Sequence, residues 1–156
     1  MKRKSRILCV LALCLLLLSA CDWETVRSCR LRGSALENIE VELKTEGGYD
    51  LKRKGSVFHV LKDKKEILQG RMVGEEEWKK ALEEIQKGTF EVIEKSEQRL
   101  VWKNGEKLCS ITSVSLSYAF TEAEMSTDIR QQDILDALER LRFTWTTEEA
   151  DDVIEL

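Results

Sequence analysis

Residues 38–53 read NIEVELKTEGGYDLKR, and this run decides the fold class. Ile39, Val41 and Leu43 alternate with Glu40, Glu42 and Lys44, the period of a strand with one buried face. Gly47-Gly48 signals a turn, because glycine enters left-handed backbone without a Cβ penalty. Tyr49 to Arg53 reads as the returning strand. Two more runs follow, Ser56 to Leu61 after Lys54-Gly55, and Glu66 to Val73 after the polar Lys62 to Lys65. Four short strands joined by tight turns predict an antiparallel meander, since parallel neighbours need long crossovers.

Beyond the meander the period changes. Trp78, Ala81, Leu82 and Ile85 fall at i, i+3, i+4 and i+7, which predicts a helix over Glu75 to Lys87. Glu75, Glu76 and Glu77 sit in its first turn, where the helix dipole favours negative charge, and Gly74 and Gly88 bracket it. Strands return at Thr89 to Lys95 and Arg99 to Lys103. Asn104-Gly105 is the strongest short hairpin signal in the chain, and a long partner strand is expected over Glu106 to Phe120. A second helix is predicted over Glu122 to Arg142, with Thr121 and Glu124 spaced as a capping box and Ser126 or Thr127 able to cap a shorter version. From Phe143 the chain reads as a brief edge strand and then an acidic tail. The order predicts an α+β fold, an antiparallel sheet packed on one face by two helices. The long strand, late helix and Leu141-Arg142-Phe143 resemble the Mog1/PsbP-like fold in shape, a likeness that carries no function.

The start of the chain has a different character. Lys2, Arg3, Lys4 and Arg6 precede an apolar run from Ile7 to Leu18, the layout of a secretory signal. That run is short of the ~20 apolar residues a membrane-spanning helix needs. Leu18-Ser19-Ala20-Cys21 follows, and it resembles the lipobox of bacterial lipoproteins. The resemblance implies cleavage before Cys21, a diacylglyceryl group on its sulfur, and palmitate-type acylation. It places the protein on the extracytoplasmic side of a cell membrane. Asp22 resembles the inner-membrane retention signal of some two-membrane bacteria. The expected organisation is a signal over 1–20, a lipidated lead-in over 21–37, one domain over 38–145, and an acidic tail over 146–156.

Removing the signal sharpens the composition. The remaining 21 Lys and Arg face 29 Asp and Glu, a net charge near −8. A surface of that sign repels phosphate backbones, so nucleic acid is not an expected partner. The same total argues against a polybasic patch lying on anionic lipid. Cys9 and Cys14 leave with the signal and Cys21 takes the lipid, so Cys29 and Cys109 are the candidate internal disulfide.

Signatures of chemistry are sparse. His59 is the sole histidine, which excludes zinc sites built on two or three imidazoles, and no Gly-x-Ser-x-Gly elbow supports a triad using it. The Glu148-Glu149-Ala150-Asp151-Asp152 run lacks the Asp-x-Asp-x-Asp-Gly spacing of a calcium loop. Lys52-Arg53-Lys54 and Lys62 to Lys65 read as solvated hairpin tips, and Trp102 and Trp145 as packing residues worth watching. No catalytic residue, cofactor or metal ligand is assigned. The expected function is a lipid-anchored binding or accessory module acting through a protein or envelope partner. The alternatives are a carrier of a small apolar ligand between sheet and helices, and a small carboxylate-based hydrolase.

Overall fold

The computed structural model describes residues 25–34, 37–88 and 90–146, so the stretch read as a signal, Cys21 and the acidic run from Glu148 lie outside the described residues. In chain order the elements are β1 (Val26–Arg32), β2 (Asn38–Lys44), β3 (Tyr49–Lys54), β4 (Val57–Lys62), β5 (Lys65–Val73), α1 (Glu75–Gln86), β6 (Glu91–Lys95), β7 (Arg99–Asn104), β8 (Lys107–Val114), β9 (Ser117–Glu124), α2 (Gln131–Arg140) and β10 (Leu141–Thr146). The strands form two sheets, one of seven in the order β3-β4-β5-β9-β8-β7-β6 and one of three in the order β1-β2-β10. All the pairings are antiparallel, and with two helices the class is α+β.

The expected first meander is corrected at β2. Its alternation is real, with Ile39, Val41 and Leu43 fully buried, but its partners are β1 and β10. Alternation shows that one face is buried and does not say against which strand. The turn explains the switch: Gly47 and Gly48 take φ of 72° and 85°, and Asp63 N–H donates to Gly48 O at 2.9 Å. A Cβ on Gly48 would overlap Asp63 Oδ1. The turn thus docks on the β4–β5 turn and sends the chain into the large sheet, where Tyr49 pairs with Lys62. The domain also begins earlier than Asn38, because β1 lies inside the stretch read as a lead-in.

Two faces of the large sheet are buried, by different layers. On the inner face Phe58, Val60, Leu68, Val101, Leu108 and Ala119 meet Leu31, Ile39, Val41 and Leu43 of the small sheet and Ile134, Ala137 and Leu138 of α2. On the outer face Leu100, Trp102, Cys109 and Ile111 meet Ala81 of α1, with Trp78, Leu82 and Ile85 alongside. The two helices therefore take opposite faces instead of sharing one. The cause is legible in the central strands. Leu100-Val101-Trp102 and Leu108-Cys109-Ser110-Ile111 are apolar on both sides of the pleat, apart from Ser110, and need cover twice. Ser110 is satisfied by Thr121, hydroxyl to hydroxyl at 2.7 Å.

The long strand expected over 106–120 folds into the β8–β9 hairpin at Ser115-Leu116, with Ser115 at φ 54°. β9 runs on to Glu124, so the second helix is shorter than expected, and its N-cap is Arg130 without a side-chain cap.

Candidate functional site

α1 covers the β9, β8 and β7 part of the outer face together with Val73 at the end of β5, and no helix covers β3, β4 and the rest of β5. Register places Lys52, His59, Gln69, Glu122 and Cys109 on one row across five strands. Arg71 and Phe120 are opposite one another on the adjacent row. Gln69 Nε2 donates to Glu122 Oε1 at 2.8 Å, tying β5 to β9. The Arg71 guanidinium lies 5.5 Å from the Phe120 ring centroid, a cation–π distance that keeps a flat five-donor group on an exposed strand. Val57, Gln69, Arg71, Phe120 and Glu122 surround a shallow depression of about 80 Å³. A second of about 230 Å³ shares Gln69 and Glu122 and runs along Glu66, Lys107, Glu124 and Ile129.

His59 stands beside this groove. Its Nδ1 is 3.0 Å from Glu66 Oε2. Nδ1 is shut off from water and makes no hydrogen bond among the described residues. The thiol on the same row is a poor nucleophile. Burial, reinforced by the Glu122 charge, pushes Cys109 up from 9.0 to about 11, so it stays protonated at neutral pH. Among the described residues no group of three or more His, Cys, Asp or Glu side chains is placed to hold a metal ion. The arrangement offers donors, acceptors and one aromatic face on a flat strand surface, which suits recognition.

Two buried carboxylates escaped the sequence. Glu37, 2 % exposed, accepts from Ser117 Oγ at 2.9 Å and from Leu116 N–H at 3.3 Å. Burial pushes its pKa up, but bonds from Ser115, Ser117 and Leu116 outweigh that and hold it below the ordinary value. Asp133 accepts from Lys62 Nζ at 2.6 Å and from Arg130 Nε at 3.0 Å, and these bonds, Arg130 first, hold it well below the carboxylate range. Glu37 ties the β1–β2 loop to the β8–β9 turn, and Asp133 ties α2 to β4. A general acid at neutral pH needs a raised pKa, and both of these are lowered. Neither stood out in the sequence, because a lone acid before a strand or in the first turn of a helix reads as a solvated one.

The remaining expectations fall as follows. Cys29 and Cys109 are both free, the first half-buried on the small sheet and the second buried against α1. The candidate disulfide is thereby corrected, because the body of the large sheet lies between them. Trp102 is core, tilted against Phe120 at 6.3 Å, while Trp145 on the edge strand β10 is 53 % exposed. Glu75 pairs with Lys79 at 3.1 Å within α1. Among the described residues no helix is long and apolar enough to cross a membrane. No family model, curated protein or solved structure matches the chain.

Proposed function

We propose that the chain is a lipid-anchored extracytoplasmic binding protein, held to the cell membrane through Cys21, that engages a protein or envelope partner without catalysing a reaction. The observation that carries the binding role is the open part of the outer face. There Arg71 held on Phe120 and the Gln69–Glu122 pair offer oriented polar groups with no covering element. The anchoring role is supported by the lipobox-like Leu18-Ser19-Ala20-Cys21. A small-ligand carrier is disfavoured because Phe58, Ile39, Leu43, Leu68, Leu108 and Ile134, each fully buried, fill the space between the inner layers.

Crosslinking in the native envelope from a photoreactive residue at position 71 tests the site. The expected result is a discrete partner adduct that is lost on Phe120→Ala, and adducts unchanged by that substitution would refute the site. Fractionation tests the anchor. Cys21→Ser is expected to leave the membrane fraction and to lose palmitate label, and retention of both would refute it.

A further inference from the structure

The acidic total conceals a local exception on the open outer face. Lys54 pairs with Val57, Val57 with Arg71 and Arg71 with Phe120, so these four share one row across β3, β4, β5 and β9. Residues opposite one another in antiparallel strands point to the same side of the sheet. Lys52, two residues before Lys54 on β3, heads the neighbouring row with His59 and Gln69 and faces the same way. One strand separates Lys54 from Arg71, a backbone spacing of about 10 Å. Lys52, Lys54 and Arg71 are exposed, and among the described residues none of the three makes an ion pair. The acids around them are engaged elsewhere. Gln69 Nε2 donates to Glu122 Oε1 at 2.8 Å, Glu66 Oε2 lies 3.0 Å from His59 Nδ1, and Asp50 Oδ1 is 3.8 Å from Arg27 Nε. In a chain of formal net charge −4, this corner of the face is cationic.

We propose that this corner receives an acidic segment of a protein partner, its carboxylates meeting Arg71, Lys54 and Lys52. The inference rests on the outer-face site of the proposed function and names the chemistry that site selects. Arg71 is its centre. The guanidinium lies 5.5 Å from the Phe120 ring centroid, which holds a five-donor fork at the surface, where two of its N–H groups match the two oxygens of a carboxylate. Lys54 and Lys52 add point charges beside it. Along the row the order is cation, apolar, cation, aromatic, so Val57 and Phe120 offer apolar contact next to the charges. An extended protein segment that alternates acidic and apolar side chains fits this order. A membrane surface fits it badly, because Glu122 and Glu66 border the cations and repel a continuous layer of anionic headgroups.

The test uses the full chain carrying Cys21→Ser and two synthetic peptides, one alternating Val and Glu and a twin with Lys in place of every Glu. Fluorescence anisotropy of the labelled peptide measures binding, and the Arg71 Nε–H resonance reports where it sits. The Glu peptide is expected to bind and to move that resonance, and the Lys peptide to do neither. Arg71→Gln should weaken the Glu peptide on the order of tenfold, and Lys52→Gln with Lys54→Gln about threefold, with both gaps closing at high salt. Arg30→Gln with Arg32→Gln removes two charges from the solvent face of the small sheet, where Arg30 faces Glu40, and should leave binding unchanged. An Arg71→Lys chain keeps the charge and loses the fork, and it covers a Gln variant that fails to fold. If it melts like the parent and binds the Glu peptide as tightly, the proposal falls. Equal binding of the two peptides, equal losses from the two paired substitutions, or a parent that binds neither peptide also overturns it. So does an Arg71 resonance moved by phosphatidylglycerol vesicles and not by the Glu peptide, which gives the face to the membrane. Crosslinking in the native envelope from a photoreactive residue at position 57 separates this inference from the site it rests on. A discrete adduct that survives loss of all three cations keeps the site and removes its anionic chemistry, whereas no adduct in the parent removes the site itself.

Discussion

Glu37 and Asp133 are carboxylates taken almost wholly out of water, and each is kept charged by donors that reach it from another element. An unfolded chain titrates such groups near pH 4, and the fold lowers both. Their contribution to stability is therefore complete above the unfolded value and is lost as pH falls through the folded values. Glu37→Gln puts an amide N–H₂ where a carboxylate oxygen accepts from Ser117 or Leu116. The cost at neutral pH is expected to be about 1–3 kcal/mol, the range for a buried polar group left without its partner. Asp133→Asn is expected to be destabilising in the same direction, with Lys62 and Arg130 losing their shared anion. Urea unfolding from pH 7 down to pH 3 checks both. Each variant should show a shallower acid limb than the parent, and limbs that superimpose would remove the carboxylates from the acid response.

At the scale of elements, one close approach sets how β4 and β5 lie together. Phe58 is fully buried on the inner face, and its ring edge occupies the space above Gly70, its register partner on β5. A Cβ on Gly70 would overlap the Phe58 ring. Gly70 has an ordinary backbone conformation, so the obstacle is space alone. Gly70→Ala is expected to cost about 1–3 kcal/mol by overpacking. Adding Phe58→Leu should recover part of that loss in the double variant, although Phe58→Leu alone destabilises. Thermal melts of the four proteins read the coupling, and strictly additive losses would refute the contact. The sequence shows why such pairs are hard to foresee. α1 was legible because four apolar residues shared one stripe, and the β7–β8 hairpin because Asn104-Gly105 names its turn. The β8–β9 hairpin was not legible, because Ser115 adopts positive φ without the glycine or asparagine that usually signals it. The second helix starts later than its sequence suggests for a related reason. Ala-and-Glu-rich residues 121–124 suit a helix by propensity, yet Thr121 and Ala123 are buried and Glu122 points to the groove, the alternation of β9. The groove itself was invisible, since Gln69, Arg71, Phe120 and Glu122 meet only once β5 and β9, far apart in sequence, lie side by side.

Over the whole molecule, sums over the chain mislead where the fold sorts residues by side. The net charge is one case, since β1 and β3 carry six Lys and Arg and a single acid, Asp50, in a chain of formal net charge −4. The cysteine count is the other. Reading residues 1–20 as an export signal leaves two cysteines and suggests a bond on arithmetic, but a disulfide needs Cα atoms within about 7 Å and Cβ atoms facing one another. Cys29 belongs to the small sheet and packs toward the inner face of the large one, and packed sheets lie ~10 Å apart. Cys109 is on the large sheet and points the other way, into the cluster under α1. The layer between them excludes the bond without local strain or chemistry entering. Denatured in the absence of reductant, the Cys21→Ser chain is expected to give maleimide adducts at both Cys29 and Cys109 in peptide maps. In the native state Cys29 should label first. Cys109 should stay slow through neutral pH, because its thiol is buried and titrates only near 11. Reductant should leave the melting midpoint where it was, whereas breaking a bond that closed so long a loop would remove ~4 kcal/mol. Joined Cys29 and Cys109 peptides, together with a midpoint that falls on reduction, would mean that the two sheets do not stack in the order described.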